Sequence, residues 1–237
     1  MKHEVKVLSV LSEAECAAAV DEIHGCRAAW TPMHAELPMY TLGAASYFEG
    51  GAGRAANYLA KAREINPFLH ERFGWLYERL ARVVGDAVGA DCGYDLDNLS
   101  LPGFHVFLAH PAFTRPIASI HFDLQYDDID WSAHPGLDFS RQLSMTLSLR
   151  LPASGGGLRL WDVDYGEFEK MPPQEQRRVK NGELDDEVFP YVTGSMVLHS
   201  GFQLHQIAPA AEMKEGDQRI TLQAHAVRSG EQWLLYW

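Results

Sequence analysis

The sequence predicts an α+β chain that is mainly β, with helices in its first hundred residues and strands in the rest. Two observations predict this. Between Pro67 and Gly89 apolar residues recur at three- and four-residue steps: Phe68, Leu69, Phe73, Leu76, Leu80, Val83, Val84 and Val88. In Gln142–Leu151 they recur at every second residue: Leu143, Met145, Leu147, Leu149 and Leu151. After Pro102-Gly103 many short strand-like runs are separated by turn residues, which suits a sandwich or barrel. The length of 237 residues suits one domain. Its first 100 residues would be helical support, 101–237 the β core, and 164–193 a charged, proline-containing insertion or lid.

Taken in order, Val5–Val10 alternates weakly and reads as a short strand. Ser12 and Glu15 form a capping-box pattern opening a helix that runs to about Ala29. Prolines and glycines punctuate Trp30 to Gly53, around an apolar piece, Met39–Tyr47, that reads as strand or buried loop. A shorter helix over Arg54–Glu64 leads into the strong one, which Gly89 ends. Strands follow at Phe104–His110, Ala118–Leu124, Gln142–Leu151, Leu158–Val163 (after a Gly155-Gly156-Gly157 turn), Ser195–His199, Gln203–Ile207, Arg219–Val227 and Gln232–Trp237. There is no internal repeat.

The net charge of −12 argues against a nucleic-acid surface, which needs a basic stripe, and equally against an anionic membrane surface. Three cysteines (Cys16, Cys26, Cys92) without a CxxC pair fit reduced thiols. No apolar run reaches transmembrane length, and Met1-Lys2-His3-Glu4-Val5 lacks the apolar core of a signal peptide. The expectation is a cytoplasmic protein.

The stretch Ile120-His121-Phe122-Asp123 puts an imidazole and a carboxylate two residues apart, on one face of a strand. His205 lies downstream on another strand. Two imidazoles and a carboxylate with open positions beside them suit non-haem Fe(II). His-x-Asp alone is equally compatible with a polar strand face, and His199 competes with His205. The order matters more: His-x-Asp, a strand-rich interval, a strand histidine, then Arg219 on the following strand. If Arg219 points inward, so do Thr221, Gln223 and His225, and Ile220, Leu222, Ala224 and Ala226 point away. A buried guanidinium needs a partner, either an acidic side chain or a ligand carboxylate.

From about Phe104 to Val227 the chain resembles the Fe(II)/2-oxoglutarate-dependent oxygenase superfamily, in pattern its prolyl-hydroxylase-like branch. The resemblance rests on His121-Phe122-Asp123, Leu147–Leu151 followed by Gly156–Leu160, Gly194–Leu198, His205–Pro209 and Arg219-Ile220-Thr221, with the Leu11–Cys16 helix start. It implies a double-stranded β-helix (jelly-roll) core with helices packed outside. It makes His121, Asp123 and His205 the Fe(II) ligands, and Arg219, helped by Thr221, the partner of the 2-oxoglutarate distal carboxylate. A longer polar turn is expected around Ala210–Asp217. Halogenating members carry a small residue where this chain has Asp123, so the resemblance implies hydroxylation or a related oxidation, using O2 and releasing succinate and CO2.

For substrate contact the sequence offers Tyr126, Trp131, Trp161 and His225. Acids in Leu124–Arg141 are candidates to meet a cationic substrate. The expected substrate is a small molecule such as an amino acid or a natural-product intermediate. Alternatives are a non-catalytic cupin-like binding protein, a hydroxylase of peptide or protein side chains, and an iron oxygenase or metal hydrolase in which Arg219 is structural. Oligomeric state stays open, a homodimer being one option.

Overall fold

The computed structural model describes residues 5–48 and 54–237. The Met1–Glu4 part of the expected leader-free N-terminus, and residues 49–53 of the punctuated stretch, lie outside them. Among the described residues twelve strands form two sheets: β1 (Lys6–Ser9), β2 (Thr31–Pro32), β3 (Met39–Leu42), β4 (Cys92–Gly93), β5 (Gly103–Leu108), β6 (Leu137–Arg150), β7 (Gly155–Asp164), β8 (Asp186–Phe189), β9 (Ser195–His199), β10 (Gln203–Ala210), β11 (Gln218–Ser229) and β12 (Gln232–Tyr236). Four α-helices accompany them: α1 (Glu13–Gly25), α2 (Arg54–Val88), α3 (Tyr165–Phe168) and α4 (Pro173–Lys180).

The large sheet runs β1-β9-β6-β11-β5-β3-β2, with β12 continuing the edge of β11 beyond β5 and β4 paired to β12. The small sheet is β10-β7-β8, antiparallel throughout. The two sheets make the expected jelly roll.

Strand alternation decides what each face of the large sheet meets. Met145, Leu147 and Leu149 of β6 and Ile220, Leu222, Ala224 and Ala226 of β11 point outward. They join one core with Ala19, Val20 and Ile23 of α1 and Leu69, Phe73, Leu76, Leu80 and Val84 of α2. Each buried Val, Leu, Ile, Phe or Met among them contributes about 1.5–3 kcal/mol. The opposite residues, Ser144 and Thr146 on β6 and Arg219, Gln223 and His225 on β11, line a cavity shared with the small sheet. The main core therefore lies between helices and sheet, which leaves the inside of the roll for polar groups.

Ser12 and Glu15 do form a capping box. The helix stops at Gly25, and Arg27–Ala29 is a separate 3₁₀ turn. The two expected helices after residue 53 are one of 35 residues with Pro67 inside it. Pro67 sits on the exposed side, while its neighbours Ile65, Asn66 and Leu69 are buried. Asn66 bonds the carbonyls of Leu96 and Leu99 and the N–H of Leu101. Tertiary packing thus carries the helix past a residue that removes one of its hydrogen bonds.

Three further expectations change. Residues 118–124 form no strand: His121 makes a single bridge to His205. The three glycines 155–157 lie within β7, paired to β10, not in a turn before it. Within 164–193, Asp186–Phe189 is a strand of the small sheet, so part of that stretch belongs to the roll. The connection between Ala210 and Gln218 is the expected longer turn. All three cysteines are free, and no helix of the described residues is long and apolar enough to cross a membrane.

Candidate active site

His121, Asp123 and His205 come together, each offering one ligand atom, all within 4.8 Å of one another. Backbone bonds set this up. His121 N donates to His205 O and His205 N to His121 O, both at 2.9 Å. Asp123 N donates to Gly201 O at 2.9 Å. Gly201 turns the chain at φ +76°, and a Cβ there would approach Gln142 and Asp123. Phe122, between them, packs into an apolar cluster with Trp161, Val163, Val179 and Leu204.

The rings are fixed through their far nitrogens. His121 Nδ1 bonds the Ser119 carbonyl and His205 Nδ1 the Gln203 carbonyl, each at 2.8 Å. A carbonyl only accepts, so both Nδ1 atoms carry protons. The Nε2 atoms then face the Asp123 carboxylate at 3.5 and 3.3 Å. Burial alone would raise the Asp123 carboxyl, but attraction to His205 and bonds to His121 and His205 hold it well below the usual carboxylate range. Gln125 Nε2 bonds its Oδ1 at 2.9 Å. Two basic nitrogens and a carboxylate converging on one point, each oriented from behind, make a site able to hold a divalent transition metal.

Arg219 is buried in the same cavity, of about 380 Å³. Its Nε, Nη1 and Nη2 have no hydrogen-bond partner among the described residues. The guanidinium lies 5.4 Å from the Tyr191 ring centroid and 5.7 Å from that of Phe107. Cation–π contact compensates a buried cation only in part. Among the described residues no acidic side chain pairs with it and only the Tyr191 hydroxyl interacts with it, so a fork of donors is left facing the cavity.

His225 lines the cavity; burial pushes its imidazole down. His199, the competitor of His205, also lines it, 4.9 Å between ring centroids from His205. Its Nδ1 accepts from Gly201 N–H, and burial, then His205, lowers it to about 3. It is not in the converging triad. Thr221 is fully buried, but its hydroxyl accepts from Gln223 Nε2 at 2.8 Å and it is not part of the cavity wall. Thr146, whose hydroxyl donates to Gln223 Oε1 at 3.0 Å, is on that wall instead.

The other expected substrate contacts do not reach the cavity. Trp161 is fully buried, since alternation on β7 turns it away from inward Leu158 and Leu160; its Nε1 bonds Leu184 O. Trp131 packs edge-on against Tyr236 and donates to Tyr126 O. Tyr126 stacks on Phe139. Two of the acids after Asp123 are engaged within the chain: Asp128 pairs with Arg54, and Asp130 accepts from Ser132 N. Sequence reasoning missed Tyr191, hidden in a charged stretch, and the wall built by Tyr47, His105 and Trp237.

No protein-family model and no curated protein matches the chain. A solved N-substituted L-amino acid dioxygenase from Burkholderia ambifaria AMMD superimposes with a TM-score of 0.62 at 17% identity, over 98% of this chain and 86% of that one. A second structure of that enzyme, in complex with alpha-KG, gives 0.59 at 17% identity over the same shares. The chain has the fold of this dioxygenase. That fold places the strands; the roles of the side chains rest on the geometry above.

Proposed function

We propose that the protein is an Fe(II)- and 2-oxoglutarate-dependent oxygenase that hydroxylates an unactivated C–H bond of a small molecule. The observation that carries this is the pairing, in one cavity, of the His121–Asp123–His205 triad with the unpartnered buried guanidinium of Arg219. One of these features suits a metal and the other a carboxylate. Fold similarity to an enzyme solved with alpha-KG supports the pairing.

In this reading His121, Asp123 and His205 hold the iron, and the Ser119 and Gln203 carbonyls keep each Nε2 lone pair aimed at it. Arg219 binds the distal carboxylate of the co-substrate, with the Thr146 hydroxyl beside it. The Tyr191, Leu158 and Ile207 side chains exclude water from that end of the cavity. Bound iron and co-substrate supply the O2-dependent oxidation, which releases succinate and CO2.

The test is an anaerobic absorbance titration. Protein with Fe(II) develops a weak charge-transfer band when 2-oxoglutarate is added, and on admitting O2 it forms succinate. Absence of both band and succinate overturns the reading. An Arg219→Ala protein that still gives the band at unchanged co-substrate concentration overturns the role of Arg219.

A further inference from the structure

We propose that the group this cavity receives beside the iron is uncharged and largely apolar or aromatic, carrying a hydrogen-bond acceptor that Trp237 and His105 recognise. This rests on the reading that iron and 2-oxoglutarate occupy Asp123 and Arg219.

Three observations carry it. The wall on the β3–β5 side is built from Met33, Met39, Tyr47, Phe48, Phe107 and Trp237, all apolar or aromatic surfaces. Aspartate, glutamate, lysine and arginine contribute only Asp123 and Arg219 to the described lining. Once those two are engaged, neither a carboxylate nor an ammonium group would find a full countercharge, and an unpaired buried charge costs more than a hydrogen bond returns. A free amino acid, which carries both, is therefore a poor occupant.

The wall is not wholly apolar. His105 Nδ1 is buried without a hydrogen-bond partner, and Trp237 Nε1, equally buried, makes no well-formed hydrogen bond although the Tyr47 hydroxyl interacts with it, on residues 9% and 1% exposed respectively. An indole N–H only donates, so the group that satisfies it must accept. His105 is fixed from behind, its Nε2 2.6 Å from the Tyr47 hydroxyl. Burial, then the nearby Arg219, lowers the His105 imidazole to about 3, so it serves as a neutral polar contact. The Trp237 ring lies over Gly103, where a Cβ would come within 2.0 Å of it. The backbone has made room for this ring at this place.

The experiment uses the full chain, loaded anaerobically with Fe(II) and 2-oxoglutarate, and three small probes: benzamide, benzoate and benzylammonium. Binding is read by calorimetry and by tryptophan emission. Benzamide is expected to bind at least about tenfold more tightly than either charged probe. Trp237→Phe keeps a ring and loses the N–H, and should weaken benzamide roughly three- to tenfold with 2-oxoglutarate affinity unchanged. Tyr47→Phe, which releases His105 while leaving the wall in place, should weaken it about threefold. The proposal is overturned if benzoate or benzylammonium binds as tightly as benzamide, if benzamide does not bind, or if both variants bind it like the parent. Affinity for 2-oxoglutarate is measured first and separately. Its absence counts against the iron–oxoglutarate reading, whereas the ranking of the probes counts on the wall alone.

Discussion

His121 and His205 hydrogen-bond each other through the backbone in both directions, which leaves their rings 4.4 Å apart between centroids. Their spacing is therefore a property of the chain path and not of two side-chain rotamers. Asp123 is tied the same way, its N–H to Gly201 and its carbonyl to Gln142 Nε2 at 2.7 Å. Removing only its carboxylate should leave the frame standing. We expect Asp123→Ala to keep its far-ultraviolet circular dichroism and to lose Fe(II) affinity by more than about tenfold. Equilibrium dialysis with metal analysis checks this; near-equal iron content in both proteins would contradict it.

Arg219 sets function against stability. Its charge is buried, with two aromatic rings but, among the described residues, no carboxylate beside it. Arg219→Met keeps the length and apolar contacts and removes the charge. The ligand-free variant should gain about 1–3 kcal/mol, which raises the melting temperature by about 2–4 °C per kcal/mol. It should also lose 2-oxoglutarate binding. Calorimetric melts with and without the co-substrate test both halves, and a lower melting temperature without ligand would count against the unpaired charge.

His105 gives a pH dependence with a defined sign. Its folded value is about 3, below the ordinary 6.5. The unfolded chain thus takes up a proton that the folded one refuses, and stability present above pH 6.5 drains away as pH falls towards 3. Between pH 7 and pH 5 this one group should remove about 2 kcal/mol. Buried His199, also lowered to about 3, acts in the same direction. Urea unfolding at the two pH values should show the loss, and His105→Phe should shrink it by about that amount.

Gly103 is a packing test of the cavity wall. A Cβ there would sit 2.0 Å from the Trp237 ring and 2.8 Å from the Leu42 carbonyl oxygen. Neither atom belongs to a flexible chain end. Gly103→Ala should cost more than about 2 kcal/mol, with a red-shifted tryptophan emission as the ring is displaced. Unchanged emission and stability would mean the ring has room to move.

Much of this was legible in the sequence, and the reasons are physical. Alternation in β6 and β11 has period two whatever the tertiary context, so it named both the core face and the cavity face. Spacing alone put His121 and Asp123 on one face but fitted a polar strand equally well; the choice of His205 over His199 as their companion came from the family resemblance. Thr221 and Thr146 were not separable, since both are inward threonines and only register places one on the wall and the other behind Gln223. Trp161 misled because a tryptophan near a turn carries no mark of which side of its strand is inward. The single helix through Pro67 depends on Asn66 meeting Leu96, Leu99 and Leu101, contacts that no local pattern encodes.

The paired backbone bonds between His121 and His205 also fix an order of events during synthesis. The partner of His121 emerges much later, and closing so large a loop precedes any reward from the contact. A nascent chain exposing only the first histidine and its aspartate has two of the three proposed ligands, so on that reading metal would be acquired after the roll has closed. If the chain holds iron as proposed, uptake would follow folding, and metal scarcity would yield a folded but inactive protein, not an unfolded one.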